Sequence, residues 1–206
     1  MSVGGLFVVF EGIDGCGKGT QLQLSHNYLW DKSKDCEIYS TREPTFHSKE
    51  IREKMKSDMD VNMDAEWYAQ HFVDDRKNHV KLDIEPRLER GSIVFCDRFS
   101  YSTFAYQHTQ GLRMSYLIKL HEGIIIPDLV LLYDCPVEIA FERRKNEGAT
   151  DVFDKDLEFQ IKLRSNYLLV KESLENHNIV VIDSSRSIND VFHETKSQLD
   201  LIIRDN

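Results

Sequence analysis

Residues 6–24 read LFVVFEGIDGCGKGTQLQL, and this stretch decides the fold. An apolar run rich in Val and Phe breaks into a glycine-studded turn with one lysine, then continues with a helical pattern. That is the layout of a P-loop: a buried strand, the turn Gly12-Ile13-Asp14-Gly15-Cys16-Gly17-Lys18, and a helix. Glycines let backbone N–H groups converge on a phosphate, and the helix N-terminus adds a partial positive charge. Lys18 is placed to reach the outer phosphates of a nucleotide. One position departs from the usual pattern: Gly19 stands where Ser or Thr serves as a magnesium ligand, and Thr20 follows it.

Outward from this stretch, strand-like runs recur at Glu37–Ser40, Ser92–Cys96, Leu129–Tyr133 and Ile179–Ile182, after the first at Leu6–Phe10. Helical patterns fall between them, at Gly19–Asp31, Lys49–Ser57, Ala65–Arg90, Ser100–Gln110, Met114–Glu122, Val137–Lys145, Lys155–Glu175 and Ile188–Ile203. Such alternation predicts an α/β fold of the P-loop NTPase type. Its three layers are a central parallel five-stranded sheet and helices on both faces, joined by right-handed crossovers. Ligands in such sheets bind at the carboxyl ends of the strands. The expected organisation is a single domain over residues 1–206, with a small polar lid at about residues 142–156, ERRKNEGATDVFDKD.

Composition narrows the function classes. A chain of 206 residues with 41% hydrophobic content can bury one sizeable core. With 35 acidic against 26 basic residues the net charge is -9, so nucleic acid would be repelled on average, and anionic ligands must meet a local basic cluster. No long uncharged apolar segment predicts a membrane span, and the N-terminus has no basic region ahead of its first strand, which argues against a signal peptide. The four cysteines, Cys16, Cys36, Cys96 and Cys135, have no metal-ligand spacing, which predicts a reduced, cytoplasmic setting.

A second informative stretch is Ser92–Gln107, SIVFCDRFSYSTFAYQ. A buried-type strand ends in Asp97, followed by Arg98 and then by Ser102, Thr103, Tyr106 and Gln107 on the next helix. Asp97 is placed either to hold magnesium, directly or through water, or to cap that helix. Arg98 is either a phosphate contact or an exposed ion-pair partner. Thr103 and Tyr106 are three apart and share a face.

The sequence resembles the thymidylate kinase family. The resemblance rests on FEGIDGCGK, TREP at Thr41–Pro44, HFVDDRKNHV at His71–Val80, CDRFSYSTFAYQ, IPDLVLLYDCP at Ile126–Pro136 and FERRKNEG at Phe141–Gly148, in the family's order over nearly the whole chain. It implies transfer of a phosphoryl group from ATP to dTMP with magnesium, by a homodimer. It assigns Lys18 to the donor phosphates, Arg98 to the phosphates of both substrates, and Asp14 to the acceptor's 3′-hydroxyl. Phe72 would stack on thymine and Arg76 would bond its carbonyl edge, with Thr103 and Gln107 as further polar contacts. Tyr106 would pack against the 2′ carbon and exclude a ribose hydroxyl. Arg42 is implied as a weaker phosphate contact. Gly15 stands where some members carry a catalytic arginine, so the lid is expected to supply that charge. Arg143 would lie against adenine, and Arg144 or Lys145 at the phosphates. Val152 and Phe153 occupy positions where many lid-type members have a further arginine.

Two alternatives follow from the same residues. Another nucleoside monophosphate kinase, or a deoxynucleoside kinase, would keep the P-loop, and the latter would need a carboxylate to deprotonate a 5′-hydroxyl. A non-catalytic nucleotide-binding switch would carry a guanine-selective NKxD motif or a strongly basic face, and neither is found in the sequence.

Overall fold

The computed structural model describes residues 5–32, 36–58, 64–146 and 157–205. Among these, five strands form one parallel sheet: β1 (Leu6–Glu11), β2 (Ile38–Arg42), β3 (Ile93–Asp97), β4 (Leu129–Asp134) and β5 (Ile179–Asp183), in the order β2-β3-β1-β4-β5. β1 lies in the centre and all six of its residues are buried, which explains why its sequence is a continuous apolar run and not an alternating one. Phe10 packs edge-on against Phe95 and stacks on Tyr133, so the three central strands share one aromatic seam.

The helices are α1 (Lys18–Lys32), α2 (Lys49–Ser57), α3 (Ala65–His79), α4 (Glu85–Leu88), α5 (Ser100–Thr109), α6 (Met114–Leu120), α7 (Val137–Asn146), α8 (Leu157–Ser173) and α9 (Ile188–Asp205). α1 packs on α9, tied by Gln21 Nε2 donating to the Ile188 carbonyl at 3.1 Å and by the Tyr28 hydroxyl donating to Asp200 at 2.7 Å. α5 packs against α8 and α3. No helix among the described residues is long and apolar enough to cross a membrane.

The expected helix Ala65–Arg90 is not one regular helix. Residues Val80–Ile84 form a π-helical section between α3 and α4. Pro86, near the start of α4, offers no backbone N–H and its ring crowds the carbonyl four residues back. The wider π turn accommodates that lost bond, with the Glu85 N–H reaching back to the Val80 carbonyl.

A second difference is systematic. Each strand runs one or two residues beyond its expected end, and in every case the added end residue is charged: Glu11, Arg42, Asp97, Asp134 and Asp183. The register sets four of them side by side, with Arg42 opposite Asp97 and Asp134 opposite Asp183. The carboxyl edge of the sheet is therefore a row of charge above an apolar core.

Candidate active site

Two cavities open at that edge and meet at Asp14. The first, about 410 Å³, is walled by the glycine turn, Lys18, Thr20, Asp97, Arg143, Arg144 and the β5–α9 turn. The second, about 240 Å³, is walled by Asp14, Glu43, Phe72, Arg76, Arg98, Thr103, Tyr106 and Gln107, with Met55 and Tyr68 closing one side.

The turn at residues 12–17 needs its glycines for different reasons. Gly12 has φ +138°, and a Cβ there would sit 2.4 Å from the Tyr133 carbonyl oxygen. Gly15 has φ +82°, and a Cβ would fall 2.3 Å from the Ala140 oxygen and 2.8 Å from Arg144 Cγ. The missing side chain at position 15 is what lets α7 bring Arg144 onto the loop, so the lid-side arginine occupies the space of a loop side chain. Gly17, at φ +93°, is the third left-handed position. Gly19 differs: it is helical, exposed, and an added Cβ would meet nothing within 4 Å. Cys16 lines the first cavity with its backbone, while its thiol is fully buried and burial pushes it up to about 11. Gly12 and Ile13, expected at the nucleotide, line neither large cavity; Ile13 is core.

Asp14 is the junction. Its Oδ1 accepts from Arg98 NH2 at 2.7 Å and from Lys18 Nζ at 3.2 Å, and its Oδ2 accepts from the Tyr106 hydroxyl at 3.2 Å. Burial raises its pKa, but the charges of Arg98 and Lys18 outweigh that and hold the carboxyl well below the usual range. It is ionised at any working pH. Arg98 itself has φ 71°, a left-handed conformation that costs a non-glycine residue on the order of 1 kcal/mol. Its N–H donates to the Phe10 carbonyl at 3.0 Å, which turns the side chain back from β3 toward Asp14. Burial lowers its pKa, but Asp14 and its other neighbours outweigh that, and Arg98 stays charged.

The floor of the second cavity is a buried polar network that sequence reasoning does not reveal. Arg76 is 2% exposed, so it is no surface charge. Its Nε donates to Glu43 Oε2 at 2.7 Å, NH1 to His121 Nε2 at 2.7 Å and NH2 to Thr103 Oγ1 at 3.2 Å. His121 Nδ1 lies 2.7 Å from the Leu117 carbonyl, so Nδ1 carries the proton and Nε2 accepts from Arg76. Burial and then the Arg76 charge lower the pKa of His121 to about 3. Glu43 Oε1 pairs with His79 at 3.0 Å, and the peptide bond from Glu43 to Pro44 is cis. Asp75 accepts from the Thr45 amide at 2.7 Å and from the Thr45 and Ser48 hydroxyls, which pins the loop carrying Glu43 to α3.

Phe72 is half-buried in the wall, not core, and stacks on Tyr68 at 5.8 Å. Gln107 is 3% exposed; its Nε2 donates to Gln110 at 3.0 Å while its Oε1 is buried without a partner. Asp97 does not cap α5. It lines the first cavity beside Thr20, and its Oδ1 is buried without a partner. Arg143 donates to the Ser184 carbonyl at 3.0 Å and the Cys16 carbonyl at 3.4 Å, bridging the glycine turn to the β5–α9 turn. Lys145 is exposed and lines neither cavity, whereas Arg144 lines the first. Arg42 is also exposed and outside both cavities. The stretch 147–156, including Val152 and Phe153, lies outside the described residues.

The family model for thymidylate kinase matches residues 10–195. The chain belongs to the thymidylate kinase family. Membership makes it a nucleoside monophosphate kinase, an enzyme that phosphorylates dTMP. The chain is 39% identical over 181 residues to a probable thymidylate kinase of Pyrococcus abyssi, covering 85% of this chain and 87% of that one. It is 38% identical over 199 residues to a thymidylate kinase of Thermosipho africanus, covering 93% and 96%. The crystal structure of thymidylate kinase from Ehrlichia chaffeensis superposes with a TM-score of 0.76 at 28% identity, over 95% of this chain and 99% of that one. That likeness agrees with the five-stranded parallel sheet described above.

Proposed function

We propose that the chain passes the γ-phosphoryl group of ATP to the phosphate of dTMP, giving ADP and dTDP, with ATP in the cavity at Lys18 and dTMP in the cavity at Arg76. The observation that carries this reading is the junction: Asp14 walls both halves of the site, and Arg98, in the wall of the acceptor half, donates to it at 2.7 Å.

The main obstacle is electrostatic, because both reactants are anions. A phosphate monoester is already largely ionised at pH 7, with a second pKa of about 6, so no general base is needed. The work left to the protein is positioning and charge neutralisation. Lys18 serves the donor phosphates, Arg98 spans donor and acceptor, and Arg144 approaches over Gly15. A guanidinium does this without losing its proton. Asp97 and Thr20 would hold magnesium, and the unpartnered Asp97 Oδ1 suits a hard cation. When bound with ATP, magnesium supplies charge neutralisation at the β- and γ-phosphate oxygens.

For the acceptor, Arg76 offers donors and Gln107 Oε1 an acceptor, a pair suited to a carbonyl and an adjacent ring N–H. Phe72 supplies the stacking face. Tyr106, held by Asp14, fills the space beside the sugar. Arg143 supports the adenine end. We also propose a homodimer, tested by sedimentation velocity; a single species at the chain's 24.1 kDa rejects it. The four cysteines are free thiols, which supports a cytoplasmic setting.

A coupled ADP-release assay across dTMP, dUMP, UMP, CMP, AMP and GMP tests the substrate assignment. Turnover should be highest with dTMP, and a flat response across the panel rejects it.

A further inference from the structure

Glu11, the last residue of β1, is 0% exposed, lines neither large cavity and has no part in the reading above. It nevertheless sits behind Arg98. Its Oε1 accepts from the Phe99 N–H at 2.8 Å and from the Ser102 N–H at 3.1 Å. These are the N-cap and third amides of α5, two of the donors a helix start leaves open. One carboxylate on a distant strand thus caps the helix that follows Arg98. Its other oxygen, Oε2, accepts from the Ser102 hydroxyl at 2.6 Å and from the Tyr167 hydroxyl at 3.3 Å. The same two hydroxyls accept from Arg98 NH1, at 2.9 Å for Ser102 and 2.8 Å for Tyr167.

The proton order in this cluster follows from an ionised Glu11: burial raises its pKa, while Arg98, the Ser102 hydroxyl and the Phe99 and Ser102 amides favour the charged form. Arg98 can only donate, and an ionised Glu11 can only accept. Each hydroxyl has one proton. Ser102 spends its proton on Glu11, and Tyr167 directs its own to Glu11 or to the Ser102 oxygen 2.9 Å away. Both hydroxyl oxygens therefore turn lone pairs toward Arg98. With Asp14 on NH2, the guanidinium is held on two sides.

We propose that Glu11 is a positioning residue for phosphoryl transfer: it fixes the proton direction of Ser102 and Tyr167 so that both accept from Arg98 and hold it in its bridging orientation. The inference rests on the assignment of Arg98 to both phosphates. Glu11→Gln keeps the shape and inverts the order. If the amide oxygen caps α5, the amide N–H groups face the two hydroxyls, whose protons are then driven toward Arg98. If the amide flips, its N–H groups face the two backbone N–H donors. Either way donors meet donors.

The test measures kcat, KM for ATP, KM for dTMP and thermal midpoint for Glu11→Gln, Ser102→Ala, Tyr167→Phe and Arg98→Ala, and for Glu11→Gln placed on the Ser102→Ala, Tyr167→Phe double variant. Glu11→Gln should lower kcat by roughly 10- to 100-fold, the usual effect of disturbing a supporting partner, at unchanged KM for ATP. On the double variant the same substitution should have little further effect, because its route to Arg98 is already gone. Wild-type kcat in Glu11→Gln overturns the proposal, and so does an equal fold-loss in both backgrounds, which would mark a purely structural role. Should Glu11→Gln fail to fold, wild-type kcat in both Ser102→Ala and Tyr167→Phe overturns it equally. Arg98→Ala separates the layers: turnover retained there sinks the bridging role of Arg98 itself, whereas collapse there with an unaffected Glu11→Gln sinks only the role of Glu11.

Discussion

Acidification should weaken this fold through His121 by an amount the structure fixes. In the unfolded chain a histidine titrates near pH 6.5. In the folded chain His121 is held neutral to about pH 3, because it is buried and its Nε2 accepts from Arg76 at 2.7 Å. The folded pKa is depressed, so the unfolded state takes the proton first. Stability present above pH 6.5 is lost as pH falls toward 3. At pH 5 the unfolded histidine is almost fully charged and the folded one almost fully neutral, so about 1.5 pH units of linkage apply, or about 2 kcal/mol. The groups facing the ring are Arg76, the Phe104 ring at 4.5 Å and the Leu117 carbonyl, and none can neutralise an imidazolium. Urea unfolding followed by far-UV circular dichroism at pH 7.5 and 5.0 measures the loss. His121→Gln keeps an acceptor for Arg76 but cannot titrate, so its stability should fall by about 2 kcal/mol less than that of the wild type over the same interval. If the variant loses as much stability as the wild type, the neutral, buried acceptor assigned to His121 is wrong.

Three substitutions probe the site. Tyr106→Ala removes the ring held at 3.2 Å from Asp14 and should reduce the preference for dTMP over its ribose counterpart roughly tenfold or more, read as a ratio of kcat/KM; an unchanged ratio removes Tyr106 from sugar selection. Asp97→Asn should raise the magnesium concentration for half-maximal rate by roughly tenfold, since it removes charge at an unpartnered buried oxygen, and no shift would leave that oxygen unexplained. Gly19→Ser enters open space on a helix and should raise stability by about 0.5 kcal/mol in thermal unfolding while lowering the magnesium requirement. A higher requirement would mean that the glycine is needed for the loop's geometry.

The sheet was legible because strands buried on both faces read as apolar runs, and Val, Phe, Ile and Leu fill β1, β3 and β4. Their carboxyl ends were not, for a reason tied to function. Apolar patterning stops a strand at its last core residue, whereas hydrogen bonding carries it on to Glu11, Asp97, Asp134 or Asp183. Local sequence also reveals a P-loop and the Asp97-Arg98 pair, because each is contiguous. It does not reveal the Glu43–Arg76–His121 network or the Glu11 cluster, in which Arg76 and Glu11 find their side-chain and capping partners between 27 and 156 residues away. A buried charge looks like any other charge until its partner is known. Glu11 carried the one local hint, a carboxylate closing an otherwise wholly apolar strand. Arg76, sitting in DDRK, carried none, and its burial follows from tertiary packing of α3 against α5.

The strand order has a consequence for how the chain acquires activity during synthesis. No two neighbours in the sheet are joined by a hairpin: Leu6 meets Ile93, Ile38 also meets Ile93, Val8 meets Leu129 and Val130 meets Ile179. Of the five strands the first made is the central one, and its partners β3 and β4 follow only at Ile93–Asp97 and Leu129–Asp134. Loop closure over such distances slows folding and leaves apolar segments exposed meanwhile. The glycine turn after β1, though it precedes the other strands in sequence, is thus among the last features a growing chain can assemble. Ribosome-bound chains ending before β4 should therefore fail to retain nucleotide, whatever the length of P-loop sequence already outside the ribosome.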